Sequence, residues 1–128
     1  MYRATIDPTA AVSDPALAPY FTGPALQLVL TSPESSPGLE VRAMFFGGGV
    51  RSRWLRHPYP QIVFVLSGVG LLGIDDAEQE LRPGEVITLP AQIWHWHGVS
   101  VHTEVQMLSI MHPGPIEWRE SLGDTTSG

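Results

Sequence analysis

Apolar and polar residues alternate with a period of two along most of this chain, in short runs broken by glycine and proline. In a strand, residues two apart point to the same face, so this pattern marks strands with one buried face. It predicts strands over residues 26–30, 39–46, 53–55, 62–66, 71–74, 79–81, 86–89, 94–99 and 104–111. Gly68, Gly70, Gly73, Asp75-Asp76, Pro83-Gly84 and Pro90 punctuate the series. Asp75-Asp76 reads as a hairpin turn, and Gly47-Gly48-Gly49 as a barrel corner. Many short strands at near-regular spacing indicate an all-β sandwich or barrel, and no long segment repeats at the helical period.

The two ends read differently. Residues 1–25 hold Asp7-Pro8, Asp14-Pro15, Ala18-Pro19 and Gly23-Pro24, which predicts a proline-rich N-terminal arm with one short helical turn. The barrel then occupies 26–122. Within it, 116–122 follows Pro113-Gly114-Pro115 and predicts a short turn of helix. The polar stretch 123–128 predicts a flexible tail. At 128 residues the chain is one domain with room for a core.

Charge and composition narrow the chemistry. The formal net charge is −6, and all seven basic residues are arginine. A nucleic-acid partner would require a basic face, which this balance does not supply. The absence of lysine excludes Schiff-base catalysis, and the absence of cysteine excludes thiolates, disulfides and Cys-bound zinc. No apolar run is long enough to span a bilayer, and the N-terminus lacks the pattern of a secretory signal. The expectation is a cytoplasmic protein without a membrane partner.

Two segments about thirty residues apart carry the imidazoles. The first contains Trp54-Leu55-Arg56-His57-Pro58 followed by Gln61 and Gly68. The second contains Pro83-Gly84, Pro90 and Trp94-His95-Trp96-His97-Gly98. Neutral imidazole is the commonest protein metal ligand and an acid/base group near neutral pH. His95 and His97 share one strand face, with Trp94 and Trp96 on the other. Leu55 and His57 share a face by the same rule. His102 and His112 fall in turns and read as surface residues.

These segments resemble the two motifs of the cupin superfamily. Gly84, Pro90 and His95 stand at the spacing of the second motif, with Gln92 where a glycine is common and Val99 where an asparagine is common. The first motif normally has a His-x-His pair, a Glu or Gln, and a glycine. Aligned on Val65-Leu66-Ser67-Gly68, it puts Gln61 on the amide or carboxylate ligand and His57 on the second histidine. The first histidine falls on Leu55. Tyr20-Phe21-Thr22-Gly23, His57-Pro58, His95-Trp96-His97-Gly98 and Ile116-Glu117-Trp118 are similar to features of small single-domain cupins that include bacterial hydroxynitrile lyases.

The resemblance implies an antiparallel jelly-roll barrel with a pocket at one mouth. It also implies homodimers that exchange an N-terminal strand. For the site it implies a divalent ion (Mn, Fe, Zn or Ni) on His57, Gln61 and His95. Without an anionic donor, such an ion is weakly held or absent. His57, His95 and His97 are the candidate catalytic residues. Arg42, Met44, Leu55, Gln61 and Met107, with Val63 beside them, are the candidate substrate wall. The implied function is an enzyme of the lyase, isomerase or cyclase type. It acts on a small hydrophobic organic molecule by metal-assisted or histidine acid/base catalysis. The alternatives are a metal-free small-ligand sensor or carrier and a metal-dependent dioxygenase.

Overall fold

The computed structural model describes residues 1–120. Eleven strands run in the order β1 (Val12–Ser13), β2 (Ala25–Val29), β3 (Glu40–Phe46), β4 (Leu55–Arg56), β5 (Gln61–Ser67), β6 (Gly70–Ile74), β7 (Ala77–Leu81), β8 (Val86–Leu89), β9 (His95–Val99), β10 (Val105–Met111) and β11 (Glu117–Trp118). They make two antiparallel sheets. One has the order β1-β2-β3-β10-β5-β8 and the other β11-β4-β9-β6-β7. This is the expected all-β jelly-roll architecture. Among the described residues no helix is long and apolar enough to cross a membrane.

The ends depart from the sequence-based reading. The arm holds two 3₁₀ turns, Pro8–Ala10 and Ala18–Tyr20, rather than one. Between them β1 lies along the edge of β2 of its own chain, with Val12 opposite Gln27. The helical turn expected at 116–122 does not form over its described part. Instead β11 pairs with β4, Glu117 opposite Arg56 and Trp118 opposite Leu55. Trp118 also stacks on Tyr20 with ring centroids 3.9 Å apart, and this contact favours the extended pairing. The expected tail, 123–128, lies outside the described residues.

The inward side chains change character along each central strand. From one end to the other β5 presents Val65, Val63 and Gln61; β10 presents Val105, Met107 and Ser109; β3 presents Phe46, Met44, Arg42 and Glu40; and β9 presents Val99, His97 and His95. The register aligns these series. Val105 faces Phe46, Met107 faces Met44, and Ser109 faces both Arg42 and Val63. The apolar ends close into one core with Leu72, Leu81 and Leu89. The polar ends meet at the other mouth.

On the outer face of β9 the indole of Trp96 lies flat across Gly73. A Cβ at Gly73 would stand 1.8 Å from the indole nitrogen, so only glycine fits there. The Arg51 guanidinium covers the same ring at 4.0 Å. The pair His95 and His97 therefore points inward, with the tryptophans outward as the alternation requires.

Candidate functional site

The polar mouth contains a cavity of about 190 Å³. Drug-sized ligands occupy pockets of roughly 300–1,000 Å³, so this one suits a smaller molecule. His57, His97, Gln61, Leu55, Arg42 and Met44 all line it. These six residues come from β3, β5, β9 and the β4 region, so the two sequence segments do converge. The wall is completed by apolar side chains that were not assigned to it from the sequence, among them Met111 and, from two of the segments that carry the resemblance, Phe21 and Trp118.

Two expected wall residues lie elsewhere. Met107 and Val63 are 1% and 0% exposed within the hydrophobic core and do not line the cavity. Each sits one inward position deeper than the polar residue next to it on its strand, Ser109 and Gln61 respectively. His95 also stands back from the cavity wall. His102 and His112 are exposed, as expected.

The three imidazoles form a chain. The ring of His57 lies 5.5 Å from that of His95, and His95 lies 4.7 Å from His97, edge to face. His95 Nδ1–H donates to the Ile93 carbonyl at 2.8 Å, which leaves its Nε2 as an acceptor. His97 Nε2 stands 3.1 Å from that atom and must be the donor. The tautomers follow: His97 carries its proton on Nε2 and a bare lone pair on Nδ1.

The backbone holds these rings in place. Ser52 Oγ accepts from the His97 N–H at 3.0 Å and donates to the Arg53 carbonyl, while Ser52 N–H donates to the His97 carbonyl. The His57 carbonyl accepts from Gln92 N–H at 2.8 Å. Burial lowers the pKa of all three histidines. His57 falls to about 4, through loss of water and then the proximity of His95. His95 is lowered by burial against the opposing pull of the Ile93 hydrogen bond. His97 lies well below its ordinary value, through burial and then the two neighbouring rings. The rings are therefore neutral at neutral pH.

The remaining polar groups are Arg42, Glu40, Gln27, Gln61 and Ser109. Arg42 gives Nε and Nη2 to Glu40 at 3.0 and 2.7 Å, and Nη1 to Gln27 Oε1. Its charge is thus matched before any ligand arrives. Gln61 Nε2 donates to Ser109 Oγ at 2.8 Å, and Gln61 Oε1 is buried with no partner among the described residues. Gln27 and Ser109 escaped the sequence reading. Ser109 shares a face with Met107, and that alternation was the available signal.

A divalent ion on His57, Gln61 and His95 was the implied cofactor. Among the described residues no three or more of His, Cys, Asp and Glu converge to hold a metal ion. Leu55, opposite His95 in the register, fills the place of a donor with a buried isobutyl group. Glu40, the one acidic residue on the cavity wall among the described residues, is committed to Arg42. Two imidazoles and an amide without an anionic donor do not fit a resident hard cation.

A family model described as a cupin domain matches residues 42–111. The chain belongs to the cupin family. This cupin is 30% identical over 83 residues to an (R)-mandelonitrile lyase from Granulicella tundricola. The match covers 62% of this cupin and 63% of that protein. Among solved structures, it superposes on a cupin-like protein from Thermotoga maritima with a TM-score of 0.75 and 26% identity, over 92% of this chain and 91% of the other. A polyketide cyclase from Streptomyces resistomycificus shares the fold, with a TM-score of 0.71 and 17% identity over 78% and 74% of the two chains.

Proposed function

We propose that this cupin is a lyase-type enzyme that binds a small, largely apolar organic molecule and moves its proton with His97 and His57, without a resident metal. The observation that carries this reading is a pair of neutral imidazoles on the wall of one apolar cavity. The resemblance to a mandelonitrile lyase supports an aromatic cyanohydrin as the substrate class.

The roles follow from the tautomers. His97 Nδ1 carries the free lone pair and is the base. When it takes a proton, the new charge sits beside the Nε2 lone pair of His95, which the Ile93 carbonyl keeps turned toward it. His57 has no side-chain hydrogen bond among the described residues, so its N–H is available to charge that develops on the departing group. On a cyanohydrin the hydroxyl proton passes to His97. The C–CN bond breaks with its electron pair on cyanide, and the carbonyl forms. Cyanide then takes the proton from His97, which gives an aldehyde and hydrogen cyanide and restores the base.

The test follows benzaldehyde release from mandelonitrile by chelator-treated protein. The expected rate exceeds that of protein-free buffer, is unchanged by chelator, and falls about a hundredfold or more in His97→Ala. Unchanged rates in folded His97→Ala and His57→Ala would overturn the acid/base roles. A rate that requires added divalent ion would overturn the metal-free mechanism. The apolar Leu55 at a ligand position also favours a second reading, a carrier or sensor; saturable binding without turnover would support that one.

A further inference from the structure

We infer that Gln61 determines specificity in this cavity, and that the ligand carries a hydroxyl or N–H donor for it in addition to the group on which the histidines act. The assignment of that second group rests on the acid/base reading above, whereas the binding itself does not.

Gln61 is 4% exposed and lines the cavity. Its amide is half satisfied. Nε2 is held by Ser109 Oγ at 2.8 Å, and Oε1 is buried with no partner among the described residues. Folded proteins rarely leave such an acceptor unpaired, because it forfeits its hydrogen bonds to water. No side chain of the wall donates to it among the described residues. Arg42 is spent on Glu40 and Gln27, and the His97 Nε2–H is spent on His95. Leu55, Met44 and Phe21 carry no donor, the Trp118 indole N–H makes no hydrogen bond to Gln61 Oε1 among the described residues, and in the acid/base reading the His57 N–H is committed to the departing group. A cation is no substitute, since the surrounding donors do not converge on one.

In the occupied cavity the donor arrives with the ligand. A small aromatic molecule with a phenolic hydroxyl supplies it and keeps an apolar body for the rest of the wall. A ligand with only an acceptor or a C–H at this position leaves Oε1 unpaired. Sites built around a buried hydrogen-bonding group reject the analogue that lacks its partner far more strongly than apolar sites reject a size change.

The experiment is calorimetric titration, in the presence of chelator, with 2-, 3- and 4-hydroxybenzaldehyde and the matching fluorobenzaldehydes. The fluorine compounds are close in size and donate no hydrogen bond. At least one hydroxyl isomer should bind the wild-type protein about tenfold or more tightly than its fluorine counterpart. Gln61→Glu keeps an acceptor and should keep the preference. Gln61→Met removes the acceptor and should abolish it. Ser109→Ala frees the amide to turn and should weaken the preference, which gives a second variant if Gln61→Met does not fold.

Equal binding within every pair would overturn the inference, as would a preference for fluorine. A hydroxyl preference that survives in Gln61→Met, or binding that appears only after a divalent ion is added, would overturn it too. None of these titrations requires turnover, so an inactive lyase and a misassigned Gln61 give different results.

Discussion

Gln92 adopts φ 65°, a left-handed conformation that costs a residue with a Cβ roughly 1–2 kcal/mol. Its N–H nonetheless reaches the His57 carbonyl, so the strained turn is what ties the second histidine segment to the first. Gln92→Gly should raise stability by about 0.5–1 kcal/mol in chemical denaturation, the gain reduced by the extra freedom of glycine in the unfolded chain. A loss of stability would mean that the glutamine side chain contributes more than its backbone costs. Ser52 poses the opposite case. It is 2% exposed and satisfies the backbone of His97 on both sides. Ser52→Ala leaves a buried N–H unpaired and should cost about 1–3 kcal/mol, with His97 ring signals displaced in the NMR spectrum. The glycine preference at position 92 was visible in the sequence as a departure from a motif. Nothing in the sequence marked Ser52, whose importance arises only when β9 is laid beside it.

At the level of strands, the alternation in the sequence revealed which residues share a face but not how deep each one lies. This explains why Arg42 and Met44 reach the cavity while Met107 and Val63, on equally well-patterned strands, stay below it. Depth is set by register between strands distant in sequence, and it is the pairing of Ser109 with Arg42 that draws the boundary. The same limit hid β11, since two residues are too few to show a period and their partner lies about sixty positions away. Register also yields a prediction. Leu55 stands opposite His95 and lines the cavity with His57, so Leu55→His should create a third imidazole donor and measurable binding of Ni²⁺ or Zn²⁺ by calorimetry. Heats indistinguishable from the parent protein would show that this position does not face the other rings. In β11, Trp118→Ala removes the stack on Tyr20 and should cost about 0.5–1.5 kcal/mol beyond lost burial. Glu117→Ala breaks only the exposed pair with Arg56 and should cost under about 1 kcal/mol.

The molecule as a whole is an apolar barrel with its few buried polar groups gathered at one mouth, and that arrangement makes it sensitive to acid. The fold refuses protons that the unfolded chain accepts, because each of the three histidines has a lowered pKa. Their contribution to stability is complete above the ordinary histidine value of 6.5 and is lost as the pH falls through the folded value, about 4 for His57. The denaturation midpoint should therefore be lower at pH 5 than at pH 7.5, with the His57 ring signals little shifted across that interval. A midpoint that holds steady, or rings that titrate near 6.5, would mean water reaches them freely. The 3.1 Å contact between His95 and His97 has one further consequence. Two rings so close share a single added charge but cannot both be cations, so the couple has two settings, empty and loaded, and no third. Catalysis from such a couple must clear one hydrogen ion before it accepts the next, and any apparent ionisation constant measured there describes both residues jointly.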